Sequence, residues 1–305
     1  MSERGEVLDR RAFPPVGRCI YCGAADGLSR EHIVAYGLGG SAVLPQASCG
    51  ACAEATGDVE RRVLRANLRP VRLLRQLPSR RGHRDAPRRY PLRVVRGDRE
   101  EEVLLPVHEY PILASFPRFP PPGFLRGETA IVGINVQGAD TISFGPTPEE
   151  VCRRLGARSI TLSNSHESEA LARMVAKIAY CFAAATRELE MLAAPSPVVP
   201  AILGDTNDIG AWVGTLTGPR MHRPGQLHWL AVHRDEPRGL LFGEVQLFCD
   251  SHTPSYGVVL GPLADDRSRT SRWLPAASAQ PKRERPRRPV REGRVIEIKM
   301  ERSGP

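Results

Sequence analysis

Residues 18–64 read RCIYCGAADGLSREHIVAYGLGGSAVLPQASCGACAEATGDVERRVL, and the cysteine spacing within this stretch decides the fold. Cys19 and Cys22 form one Cys-x-x-Cys pair, and Cys49 and Cys52 form a second. Each pair sets two sulfurs close enough to share an ion, and two pairs complete a tetrahedron. Zinc suits such a site because it binds thiolate without redox change. A structural zinc contributes ~10–16 kcal/mol of apparent free energy in small modules. That matters because the segment has few large apolar side chains to fold on. A redox dithiol is the competing reading, and it lacks a thioredoxin-like surround. The remaining cysteines, Cys152, Cys181 and Cys249, stand in apolar stretches and read as small core residues.

Between the pairs lies LSREHIVAYGLGG. Together with CIYCG before it and ASCGAC after it, the segment resembles the HNH endonuclease family. The likeness is to the subset with an EHI…GLGG core and a four-cysteine zinc site. It implies a zinc-stapled ββα-metal, treble-clef-like module in which a hairpin and a helix grip one divalent ion. His32 would be the general base and Glu31 a ligand of a catalytic Mg²⁺ or Mn²⁺. The substrate would be nucleic acid, DNA rather than RNA. The chemistry is consistent with these residue types. Imidazole titrates near ~6.5 and can deprotonate water, and a hard cation held by carboxylate stabilises the charge on a reacting phosphodiester. Gly37, Gly39 and Gly40 would permit the tight hairpin.

The chain departs from the family pattern at two asparagines: Ala53 follows the last cysteine, and Leu44 stands where a hairpin asparagine falls. Thr56 and Glu60 lie four apart on one helical face, and Glu60 is the candidate stand-in as catalytic metal ligand. Glu54 and Asp58, near the helix start, read as dipole partners.

From Asp58 to Leu77 the sequence predicts a helix bent near Pro70, with an apolar stripe and an arginine-crowded outer surface. Arg61, Arg62, Arg65, Arg69 and Arg72 are candidate phosphate contacts, and Arg75 continues the run. A formal charge of +9 in 305 residues points the same way. Arginine stems covering apolar surface are the alternative reading.

Beyond the module the expectations are coarser. Residues 1–17 read as a flexible leader, 18–78 as the module with its basic helix, and 79–89 as a basic linker. Residues 90–263 read as a larger α+β domain, and 264–305 as a basic, disordered tail carrying KRERPRR at 282–288. Within the larger domain, strands are expected near 90–95, 101–107 and 128–136. FPRFPPPGF at 116–124 reads as a connector. A short helix is capped by Thr147, a long helix spans 166–192, and a meander runs through 228–234, 240–248 and 256–262. The histidines of this part are scattered without catalytic spacing. The fold class is therefore α+β. No apolar run is long enough to span a bilayer and the start has no apolar signal core, so a cytoplasmic location is expected. Three readings compete: a metal-dependent endonuclease; a non-catalytic zinc-binding module that holds nucleic acid or a protein; and a larger α+β domain that carries the main activity while the N-terminal module only targets it.

Overall fold

A computed structural model describes residues 13–66, 68–79, 88–128, 130–218, 221–264 and 292–299, the last segment and 163–166 as backbone only. The chain is a mixed α+β protein with antiparallel sheets. The cysteine-rich part forms β1 (Ser29–His32), β2 (Val43–Ser48), α1 (Gly50–Arg65) and α2 (Arg69–Leu74). β1 and β2 pair antiparallel, Glu31 opposite Leu44 and His32 opposite Val43. The register shifts between Ser29 and Glu31, and the extra residues fall on β2, where Gln46 takes a positive φ of 49°. The single bent helix expected over 58–77 is instead two. α1 stops at Arg65 and Pro70 sits in the first turn of α2, where its missing N–H breaks no helical bond.

The remainder supplies β3 (Arg89–Arg96), β4 (Arg99–Pro106), β5 (Ile112–Arg118), β6 (Gly138–Phe144), α3 (Pro148–Leu155), β7 (Ser159–His166) and α4 (Ser168–Ala185). Then come α5 (Val199–Leu203), β8 (Val213–Thr215), β9 (His228–Asp235), β10 (Leu240–Leu247), β11 (Ser255–Pro262) and β12 (Glu292–Lys299). The sheets run in the orders β8-β11-β10-β9, β12-β7-β3-β4 and β5-β6. The meander of β9 to β11 forms as read. α3 carries a full capping box, Thr147 and Glu150 bonding each other's backbone N–H.

Several expectations need correcting. Part of the proline-rich connector is strand β5, which tolerates Pro117 because a two-stranded sheet has only edges. The strand expected over 128–136 is absent among the described residues there. Gly133 turns left-handed, and the segment is stitched to 207–210 through Gly133 N–H to Asn207 O and Gly210 N–H to Gly133 O. α4 ends at Ala185 rather than running to 192, because Arg187 adopts a positive φ of 63°. In the leader, Phe13 and Val16 pack on the core and Val16 N–H bonds Pro45 O at 3.0 Å, so 13–17 is not free chain; 1–12 lie outside the described residues. Residues 292–299 of the tail are strand β12 against β7. The rest of the tail from 265, including 282–288, and residues 80–87 of the linker fall outside the described residues.

α4 organises the core. Ala170 through Ala183 is buried on every side, as a helix between layers must be. It packs on β9, β10 and β11 and, through another face, on α1 and α5. Cysteines, hairpin and α1 therefore share one hydrophobic core with the part read as a separate domain. A smaller core of Leu92, Val94, Val151, Cys152 and Ile160 lies between α3 and the β12-β7-β3-β4 sheet.

Candidate metal centre

The first cysteine pair sits in a tight turn closed by Cys19 N–H to Ala24 O (2.7 Å) and Gly23 N–H to Cys19 O (2.8 Å). The second pair opens α1: Cys49 is the N-cap and Cys52 lies in the first turn. The four sulfurs lie within 4.8 Å of one another, and Cys22 and Cys49 are 3.6 Å apart. A Zn–S bond of ~2.3 Å gives a tetrahedral edge of about 3.8 Å, so this donor set fits a metal ion such as zinc. All four are free thiols rather than disulfides. A hydrogen bond from Cys52 lowers the Cys19 thiol to about 4, while the bond to Cys19 pushes Cys52 up and burial raises Cys22. Crowding thus favours a thiolate at Cys19 and resists charge on Cys22 and Cys52, and a bound cation would relieve the resistance. The zinc would be structural, with Cys19, Cys22, Cys49 and Cys52 holding it.

The hairpin loop between β1 and β2 contains a 3₁₀ turn, Tyr36–Leu38, closed by Gly39 at φ +86°. Gly40 lies flat on the chain: a Cβ there would sit 2.0 Å from Val34 O. These glycines serve the loop itself. Arg72 Nε donates to Gly37 O at 2.6 Å and His228 Nε2 bonds Leu38 O at 2.7 Å, tying the loop to α2 and β9. His228 Nδ1 accepts from Phe248 N–H, which puts the ring proton on Nε2. Burial holds its pKa down to about 4.

Glu31 and Glu60 do come together on one cation. That cation is the ammonium of Lys177, from the middle of α4. Its Nζ lies 2.8 Å from Glu31 Oε1 and 2.9 Å from Glu60 Oε1, and it also donates to the backbone O of His32. A fourth, longer contact reaches Ile33 O at 3.4 Å, so every ammonium proton has an acceptor. The Lys177 side chain is 1% exposed, that of Glu31 8% and that of Glu60 20%. Burial alone would discharge the lysine, but Glu31 and Glu60 outweigh it and hold its pKa above the usual lysine range. A Mg²⁺ bridging the same two oxygens at ~2.1 Å would have to share this space with a fixed like charge. The residues present therefore do not fit a divalent ion bridging Glu31 and Glu60.

His32 is half-buried, and strand alternation sends its ring to the face opposite Glu31, where it lies 5.8 Å from the ring of Tyr36. Of the arginines read as phosphate contacts, two are committed internally. Arg62 pairs with Glu167 at the start of α4 (2.5 Å), and Arg72, besides Gly37 O, donates to Leu64 O and Pro78 O. Both were read as outward because helical spacing cannot show what packs against the helix. Arg75 likewise pairs with Asp250. Arg61, Arg65 and Arg69 are exposed, Arg61 bonded to Asp58.

Sequence reading missed Lys177 and its neighbours one turn on. Tyr180 donates its hydroxyl to Ile20 O, and Cys181 Sγ meets the Tyr21 hydroxyl at 3.2 Å. Positions 177, 180 and 181 share one face, so α4 grips the cysteine turn and the hairpin together. The available signal was a lone lysine inside the apolar run ALARMVAKIAYCFAAA, where a charge needs a partner. Comparison of the chain with protein-family models, curated proteins and solved structures found no match to any of them.

Proposed function

We propose that this chain is a zinc-stapled nucleic-acid-binding protein, built on a hairpin-and-helix module of nuclease-like layout, that does not hydrolyse its ligand. The observation that carries this reading is Lys177: its ammonium joins Glu31 to Glu60 where a catalytic metal would bridge them. The zinc held by Cys19, Cys22, Cys49 and Cys52 fixes the module. The +9 charge and the exposed Arg61, Arg65 and Arg69 favour a polyanionic partner.

The second reading is a nuclease with His32 as base. The convergence of Glu31 and Glu60 at the hairpin–helix junction favours it, and Lys177 and the placement of the His32 ring on the opposite face of β1 oppose it. Zinc-loaded full-length protein, incubated with supercoiled plasmid in Mg²⁺ or Mn²⁺ and assayed in parallel for binding by fluorescence anisotropy, separates the two. The proposal expects salt-dependent binding without nicking. Nicking that disappears in His32→Ala while zinc and fold persist would instead establish hydrolysis.

A further inference from the structure

The outer face of the hairpin bears groups that the acid pair does not use. On β1 the side chains at 30 and 32 share one face by strand alternation, and Arg30 is exposed there while Glu31 turns inward to Lys177. The extra residues of the bulge lie on β2, so β1 keeps this alternation. Tyr36 continues the strip. It is 39% exposed although Ile33, Val34, Ala35, Gly37 and Leu38 around it are buried, and its ring lies 5.8 Å from that of His32. Phe124 is the other exposed aromatic among the described residues, and it is stacked on Trp212.

The pedestal under Tyr36 is rigid. Leu38 N–H and Gly40 N–H both bond Ala35 O, and the loop carbonyls of Gly37 and Leu38 are held by Arg72 and His228. A ring fixed in this way loses little freedom when something stacks on it. Beside it stands the His32 imidazole, Arg30 lies exposed two residues back on the same face of β1, and α1, leaving the same module, exposes Arg61 and Arg65.

From this juxtaposition we infer that Arg30, His32 and Tyr36 form a contact strip for single-stranded nucleic acid. Tyr36 stacks on an unpaired base and Arg30 takes the adjoining phosphate. Stacking on an exposed ring needs a base free of its pair, which selects single strands over duplex, and it tolerates any base. The strip has no constellation for reading base edges, so binding is independent of sequence. This inference rests on the nucleic-acid reading proposed above.

The test measures fluorescence anisotropy of the zinc-loaded full chain with a labelled single-stranded oligonucleotide and with a duplex of the same length, across a salt series. The single strand binds more tightly. Tyr36→Ala weakens that binding about tenfold or more without changing its salt slope, and Tyr36→Phe restores it. Arg30→Ala lowers the salt slope by about one. Zinc content and thermal midpoint, compared with the parent, verify that each variant is folded. Equal affinity for duplex, or an unchanged Tyr36→Ala, overturns the strip and leaves the nucleic-acid reading standing. Binding to neither probe overturns both.

Discussion

Replacing Lys177 by methionine keeps an unbranched apolar stem one atom shorter and removes the charged end. Glu31 and Glu60 would then face each other across the vacated position without a counter-ion, one nearly buried and the other mostly so. Breaking a buried pair by deleting one partner costs about 3–5 kcal/mol. The lower end applies here, because Glu60 at 20% exposure lets water relieve part of the repulsion. About 3 kcal/mol corresponds to a fall in thermal midpoint of roughly 5 °C for a chain of 305 residues. A divalent ion should fill the gap. Mn²⁺ at ~100 times its dissociation constant would return about 2.7 kcal/mol to the variant and none to the parent. Thermal melts at pH 7, with and without Mn²⁺, read both effects. A variant as stable as the parent at pH 7, or a parent stabilised by Mn²⁺ to the same degree, refutes the reasoning.

Cys49→Ser should lose zinc, measured by elemental analysis, and with it the cooperative melting of the hairpin and α1; retained zinc with an unchanged melt would show that the cluster is not the staple. His228 carries a pKa of about 4 in the fold against ~6.5 unfolded. Its contribution is thus complete above pH ~6.5 and is lost as pH falls towards 4, where the unfolded chain binds the extra proton. The shift is worth up to about 3 kcal/mol, and urea titrations should show the decline flattened in His228→Gln. Gly40→Ala places a methyl 2.0 Å from Val34 O and should destabilise the loop by several kcal/mol, about 3 or more. Gly57→Ala, on α1 with open space around it, should stabilise by ~0.5–1 kcal/mol, and the two denaturation midpoints should move in opposite directions. Arg65→Ala should lower the salt slope of nucleic-acid binding by about one, whereas Arg62→Ala, which breaks the pair with Glu167, should lower the melting temperature and leave the slope unchanged.

What was legible in the sequence was local. The two Cys-x-x-Cys pairs set the sulfur cluster because each pair needs only a turn, and the second needs only a helix start. Thr147-Pro148-Glu149-Glu150 specified α3 through backbone bonds made within four residues. The apolar periodicity of α4 was visible, but the role of Lys177 was not, because its partners lie more than a hundred positions away. Glu31 and Glu60 could be seen as a pair of carboxylates in search of a cation; the cation's identity depended on which helix packs over the hairpin. Arg62 and Arg72 were misread for the same reason. β5 and β12 were missed because Pro117 and the polar tail composition argue against strands, and pairing with β6 and β7 overrides that local preference.

Lys177 fills the cation position between Glu31 and Glu60, and Mn²⁺ binding to the zinc-loaded parent, followed by electron paramagnetic resonance, tests this at the site itself. Added Mn²⁺ is expected to stay in its free aqueous form with the parent and to become bound only in Lys177→Met. One Mn²⁺ bound per parent chain, and released by Glu60→Gln, would show that the acid pair takes a divalent ion after all and return the site to metal-dependent hydrolysis.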